Sequence, residues 1–166
     1  MEINVWDQII AFEGRMHEFI KAAYDYQDNT FHSHPGYYID YFEMRLAQLQ
    51  VLHNLHYEIK KIRKMPKQAL VIADYIMYMA DYVVEMNIPD QQIEKLEEIS
   101  EQMKQEELPK TREEFEGRAL LYHILMDLEE FLVYKKRFVN GLDEKKLRIY
   151  WKQEMEQKDS ANELQK

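Results

Sequence analysis

Residues 109–132, PKTREEFEGRALLYHILMDLEEFL, hold the clearest secondary-structure signal in the chain. They open on a capping box, in which the Thr111 hydroxyl accepts the backbone N–H of Glu114 and the Glu114 carboxylate reaches back to the N–H of Thr111. Apolar residues then recur at helical spacing, and the Asn-Gly pair at 140–141 is a stop signal. The pattern predicts one long helix that begins just after Thr111 and ends at about Val139.

The same apolar periodicity predicts four further helices, over about 3–28, 37–64, 67–86 and 90–105. Pro and Gly lie between several of them, and both residues interrupt helical patterns. In the third helix we expect an apolar stripe to face the core. It consists of Leu70, Ala73, Ile76, Met77, Ala80, Val83 and Val84. The fourth helix is acidic, and only a narrow seam is apolar: Ile93, Leu96, Ile99 and Met103.

Composition favours an all-α fold. Only 4 Gly and 4 Pro are present among 166 residues, and Thr and Val are scarce, whereas sheets need turns and β-branched side chains. Apolar residues make up 46% and charged residues 32%, which is typical of a packed domain. We therefore expect an elongated antiparallel bundle of about five helices in residues 1–141. Residues 142–166 would form a charged tail, partly helical and partly disordered.

Charge and residue inventory exclude several classes of function. The chain has 22 Lys and Arg against 31 Asp and Glu, a net charge of −9, so we expect no nucleic-acid partner. Zero cysteines exclude disulfides, thiol nucleophiles and Cys-ligated metals. The longest run without a charged residue is Leu46–Tyr57, 12 residues, whereas a bilayer span needs about 20 apolar residues. The sequence predicts a soluble protein without a cofactor.

His32 and His34 are the residues best placed to ligate a metal, since two imidazoles stand two positions apart. The Glu-x-x-His spacing of di-iron bundles does not occur in the chain. An acidic row resembles the first half of the magnesium pattern of all-α nucleotide pyrophosphohydrolases, but the second half is missing; the row is Glu94, Glu97, Glu98 and Glu101. We expect no metal and no enzymatic activity, and interpret His32 and His34 as loop residues.

On two of the predicted helices an arginine shares one face with tyrosines. The residues are Tyr38, Tyr41 and Arg45 on the second helix and Arg118 and Tyr122 on the fifth. A guanidinium beside aromatic rings can bind both oxygens of an aromatic carboxylate, so these five residues form the predicted ligand site. The alternative interpretation is structural: each arginine pairs with a neighbouring acid such as Glu43 or Glu114, and the tyrosines close the bundle.

Two segments carry a family resemblance. One is YYIDYFEMR at 37–45, and the other is PKTREEFEGRA at 109–119, which continues into DLEEFL at 127–132. Together they resemble the C-terminal soluble domain of the putative aromatic acid exporters, a branch of the fusaric-acid-resistance-like membrane proteins of Gram-positive bacteria. The resemblance covers about residues 1–138.

The resemblance implies a non-enzymatic domain on the cytoplasmic face of the cell membrane, with an assembly, gating or regulatory role. Its partner would be the membrane-embedded domain of the same polypeptide or an associated membrane protein, with a homo-oligomer and an aromatic acid ligand as further options. Because the chain lacks the spans of a whole exporter, two interpretations stay open. It is an excised domain, or it is a stand-alone sensor that binds a small molecule at the tyrosine–arginine site.

Overall fold

The computed structural model describes residues 5–29, 35–62 and 66–151, and within these ranges the chain forms helices and no strand. The six helices are α1 (Val5–Asn29), α2 (Pro35–Lys61), α3 (Ala69–Ala80), α4 (Asp90–Lys104), α5 (Arg112–Asn140) and α6 (Glu144–Tyr150). The prediction of an all-α helical bundle is confirmed. Apart from α3, the other four predicted helices begin and end within three residues of the observed bounds.

The predicted capping box at the start of α5 forms, with one change of partner. Thr111 has an extended backbone, and its hydroxyl accepts the Glu114 N–H at 3.1 Å. The Glu114 carboxylate accepts the backbone N–H of Lys110 at 2.7 Å, one residue before the predicted donor. Both ends of the box thus satisfy amides that the first turn of a helix leaves without a helical partner.

Helix α5 is the central element, because α2, α3 and α4 all pack against it, while α1 packs against α2. The main core is made of apolar side chains from α2 to α5, namely Val51, Leu55, Ile72, Tyr75, Met79, Leu96, Ile99, Met103, Leu121, Ile124, Leu125, Leu128, Phe131 and Leu132. The predicted apolar seam of α4 is confirmed: Leu96, Ile99 and Met103 are buried, and Ile93 packs against them.

A second, smaller core lies at the other end of α5 and includes a residue from beyond α6. Its buried members are Tyr37, Met44, Phe138, Val139 and Trp151. The side chain of Asp143 caps α6 by accepting the Lys146 N–H at 2.7 Å. Trp151 follows directly and is 3% exposed, so a large apolar side chain from the predicted tail packs against α2 and α5.

The prediction for the third helix is wrong in its length and in its buried face. Helix α3 ends at Ala80, where the N–H groups of Tyr82 and Val83 bond three residues back, in tighter turns than an α-helix. Further along, the backbone carbonyls of Val84 and Glu85 accept hydrogen bonds from the Lys135 ammonium. A side chain from α5 therefore bonds carbonyls in the segment that the sequence pattern assigned to the helix.

The buried face of α3 is formed by Ile72, Tyr75 and Met79. Ile76 of the predicted stripe packs against the same core, but most of that stripe is exposed. Tyr75 explains the orientation, because its ring is buried and its hydroxyl donates to the backbone carbonyl of Gln92 at 2.7 Å. Leu70 and Met77, which were predicted to contact the core, are 70% and 72% exposed. The sequence offers apolar residues on both sides of this helix, and the side that also carries Asp74 and Asp81 stays exposed.

Candidate functional site

Arg45 lies half-buried on α2 and makes three contacts with uncharged groups. Its Nε donates to the Tyr41 hydroxyl at 3.1 Å, and its Nη1 donates to Gln48 Oε1 at 2.7 Å. The guanidinium carbon lies 5.1 Å from the centroid of the Tyr41 ring, within cation–π range. Gln48 in turn donates to the Phe131 carbonyl of α5 at 2.8 Å, in a fully buried position. This chain of bonds joins α2 to α5.

The acidic partner predicted for Arg45 is engaged elsewhere. The Glu43 carboxylate accepts the Tyr24 hydroxyl at 2.8 Å, which links α1 to α2. In the part of the chain that the structure describes, no carboxylate pairs with the Arg45 guanidinium, whose bonds go to Tyr41 and Gln48. Arg45 therefore has neutral partners in place of the predicted acid.

A second cation, Lys135 of α5, is 4% exposed and was not predicted as a site residue. Its ammonium donates to the carbonyls of Val84, at 2.8 Å, and Glu85. Three aromatic rings lie 5.7 to 6.0 Å from the same nitrogen, those of Tyr41, Phe138 and Trp151. The ammonium thus holds the segment after α3 against the second core.

A hydrogen-bonded row runs beside this ammonium. Trp151 Nε1 donates to the Tyr37 hydroxyl at 3.0 Å, and that hydroxyl donates to the Glu85 carboxylate at 2.9 Å. Burial is the main cause that raises the pKa of Tyr37 above its ordinary value, so the phenol stays a neutral donor. Sequence reasoning missed this row because Tyr37 and Trp151 are 114 residues apart in the chain, and no local pattern pairs them.

Arg45, Gln48 and Lys135 line one cleft, together with Asn87 and Gln92 from the other side of the bundle. The cavity volume is about 10 Å³, which is about the room that one water molecule needs. An aromatic ring needs a cavity on the order of 150 Å³. In this conformation the cleft has no room for an aromatic acid.

Arg118 lies in a different place, near the start of α5. Its Nη1 donates to the backbone carbonyl of Glu107, and it lines a groove of about 540 Å³. Four glutamates, two lysines and Arg118 itself share that groove: Glu106, Glu107, Glu113, Glu114, Lys67, Lys110 and Arg118. Along α5, Arg118 is about 20 Å from Phe131, the residue that Gln48 contacts.

Of the five predicted site residues, the structure brings Tyr41 and Arg45 into contact. Tyr38 is 43% exposed and sets its ring edge-on to Tyr37. Tyr122 packs against the main core. Arg45 and Arg118 line separate cavities, so the two arginines do not share one cleft.

The two candidate metal ligands, His32 and His34, lie outside the described residues. Within residues 5–29, 35–62 and 66–151, the structure places no group of three His, Asp or Glu side chains that could hold a metal ion. Asp127 is the buried carboxylate nearest to an imidazole, with His123 Nδ1 at 3.8 Å from its Oδ2. Burial raises the pKa of Asp127, and His123 lowers it by a smaller amount.

Several strongly exposed apolar side chains belong to α3. We define the α3 outer face as Leu70, Ala73, Asp74, Met77, Ala80 and Asp81, all of which are exposed. Beside it stand further exposed apolar side chains: Val71, Tyr82, Val83, Val84 and Ile88. Their exposed fractions lie between 37% and 50%. Contiguous apolar surface of this kind marks interaction sites in folded proteins.

The six described helices include none that combines the length and the apolar character needed to cross a bilayer. Exposed apolar side chains on a helical bundle are typical of a domain that binds other proteins. Comparison with known proteins gives the particular family. Residues 3–136 match the putative aromatic acid exporter C-terminal domain, and the chain belongs to that family. The family resemblance predicted from the two sequence segments is confirmed.

Two relatives are informative. A protein of Bacillus subtilis (strain 168), YqjA, is 32% identical over 98 residues, which are 59% of this chain and 30% of YqjA. The chain thus spans about a third of the length of that relative. A crystal structure of a putative membrane protein from Clostridium difficile 630 is 25% identical, with a TM-score of 0.71, and the alignment covers 82% of each chain.

Proposed function

We propose that the chain is a non-enzymatic domain on the cytoplasmic face of the membrane that takes part in assembly, gating or regulation of an aromatic acid exporter. The observation that carries this proposal is the family match over residues 3–136, which includes α1 to α4 and most of α5. The membrane-embedded part of the same polypeptide, or an associated membrane protein, is the proposed partner.

The geometry of the buried charges supports a structural role for the interior. Lys135 bonds two backbone carbonyls after α3, and Arg45 bonds Tyr41 and Gln48. Gln48 in turn bonds the Phe131 carbonyl, so α2, α5 and the segment after α3 are held together as one body. The cleft between them has about the volume of one water molecule, so a function through the surface fits this arrangement better than chemistry inside it.

The proposal is tested in the cells that produce the chain. Membranes are sedimented, and the chain is quantified in the membrane and supernatant fractions with an antibody. In parallel, efflux of radiolabelled benzoate is timed in cells with and without the gene. We expect recovery with the membranes and slower efflux after deletion. A chain found only in the supernatant, together with unchanged efflux, would contradict the proposal.

One observation favours a second candidate function, a sensor of aromatic acids. The Arg45 guanidinium stacks near Tyr41 and has no carboxylate partner among the described residues. A carboxylate ligand would supply that partner once the cleft opened. The test is thermal unfolding with benzoate. A sensor predicts stabilisation of the wild type and of the control Arg112→Gln, but not of Arg45→Gln; equal behaviour of all three would reject the sensor.

A further inference from the structure

The α3 outer face is a stripe of helical geometry rather than a scatter of surface residues. Leu70, Asp74, Met77 and Asp81 recur at spacings of four, three and four residues, so they lie along one side of the helix. Leu70 and Met77 are 70% and 72% exposed, while the buried residues lie on the opposite side. The stripe has the spacing with which one helix packs against another.

The stripe itself carries two acids, Asp74 and Asp81, and no base; the nearest bases are the exposed Lys67, three residues before Leu70, and Lys95, whose ammonium lies 3.8 Å from the Tyr78 ring centroid. From Gln68 to Glu94 the sequence has five acids and no Lys or Arg; the acids are Asp74, Asp81, Glu85, Asp90 and Glu94. Glu85 bonds Tyr37, and Asp90 pairs with Lys136 of α5. Asp74 and Asp81 belong to the outer face itself and are exposed. A binding partner therefore meets apolar side chains flanked by carboxylates.

This combination discriminates between three possible occupants. A second copy, joined through the same face, would bring Asp74 and Asp81 of both copies close together, and like charges in an interface are unfavourable. A lipid surface on the cytoplasmic side is anionic and attracts basic segments, not acidic ones. An amphipathic protein helix with Lys or Arg beside its apolar residues satisfies both the apolar stripe and its acids.

We infer that the α3 outer face binds a basic amphipathic helix, and that this helix belongs to a cytoplasmic segment next to a membrane span. The inference rests on the proposed function and names the surface through which it operates. Cytoplasmic segments of membrane proteins are enriched in Lys and Arg, so their charge complements the acids of the face. Leu70 and Met77 supply the apolar contacts, and Asp74 and Asp81 receive the basic side chains.

The test uses a photo-crosslinking amino acid at position 77 of the chain, in the cells that produce it. A matched variant has the same amino acid at position 126, because Met126 of α5 is 64% exposed and also stands beside acids. Crosslinked peptides are identified by mass spectrometry. We expect position 77 to label a Lys- and Arg-rich segment adjoining a membrane span, and position 126 to label it much less.

The charges are tested with Asp74→Asn/Asp81→Asn, with Glu129→Gln/Glu130→Gln on α5 as the control. Two exposed charge pairs predict about a fivefold lower crosslinking yield for the first variant, and an unchanged yield for the control. Crosslinks to a second copy, to lipid or to nothing would overturn the inference, as would equal labelling from position 126. If the chain is absent from the membrane fraction, the proposed function fails as well. If the chain is in the membrane fraction but position 77 does not label a basic segment next to a membrane span, the inference alone fails.

Discussion

Helices α5 and α3 are both rich in apolar residues, yet they have opposite places in the molecule. Helix α5 carries many charges and buries ten residues along one broad side. Helix α3 has a single charged residue, Asp74, and buries Ile72, Tyr75 and Met79. The apolar content of a helix therefore does not decide whether it is central in the bundle. The apolar excess of α3 faces outward, where it is available to a partner.

The largest expected effect concerns the end of α5 at which the second core forms. Trp151→Ala removes a side chain that is 3% exposed, together with its hydrogen bond to Tyr37. We expect a loss of about 4 kcal/mol in the free energy of unfolding, measured by urea denaturation. Leu108→Ala, at a position that is 84% exposed, is the control.

This variant also tests the predicted division of the chain at residue 141. If residues 142–166 were a tail that contributes nothing to the bundle, Trp151→Ala would be as stable as the wild type. A loss of the expected size would show that the bundle needs the residue that follows α6.

The next effect compares α5 with α3 directly. Leu128→Ala, at a position that is 1% exposed in the main core, should cost about 3 kcal/mol because it leaves a cavity. Leu70→Ala makes the same chemical change on the α3 outer face, where it should cost less than about 0.5 kcal/mol. Similar losses in the two variants, measured in the same urea series, would abolish the distinction between the helices.

A smaller effect is expected where α5 begins. Thr111→Ala removes the hydroxyl that accepts the Glu114 N–H and should cost about 1 kcal/mol. Ser100→Ala is the control, since the Ser100 hydroxyl only adds a bond to the Leu96 carbonyl within α4. If the two variants were equally stable, the cap would have no measurable role.

The smallest effect is a pH dependence. Burial raises the pKa of Asp127, so in the folded state this carboxyl keeps its proton to a higher pH than in the unfolded chain. Its contribution to stability is therefore present at low pH and lost as the pH rises above the ordinary carboxyl range. We expect Asp127→Asn to flatten that part of the curve of unfolding free energy against pH, and the exposed Glu129→Gln to leave it unchanged. If the curve for Asp127→Asn ran parallel to the wild-type curve, the raised pKa of Asp127 would not be the source of this pH dependence.

These regions also show what the sequence can predict. The ends of α4 and α5 and the seam of α4 follow from local signals: the capping box, prolines and a narrow apolar stripe. The buried face of α3 was predicted wrongly because apolar residues lie on both sides of this helix. Ile72, Ile76 and Met79 recur at helical spacing on the buried side, whereas Asp74 and Asp81 lie on the exposed side.

Of the residues that the structure brings together around Arg45 and Lys135, the sequence predicted only Tyr41 and Arg45, which are neighbours on one helix face. Its other members, Gln48, Lys135 and Trp151, meet through contacts between residues distant in sequence. Such contacts depend on how the helices pack, and a single sequence does not specify that packing.

The central claim is that the α3 outer face serves a partner and not the core. The most direct measurement is the fraction of Leu70→Gln/Met77→Gln that is recovered with membranes when the chain is added to them without a covalently attached membrane span, at a temperature where urea denaturation shows the variant to be folded. We expect an unfolding free energy within about 0.5 kcal/mol of the wild type, together with a marked loss from the membrane fraction. Full recovery with the membranes, or a stability loss of the size expected for Leu128→Ala, would contradict the claim.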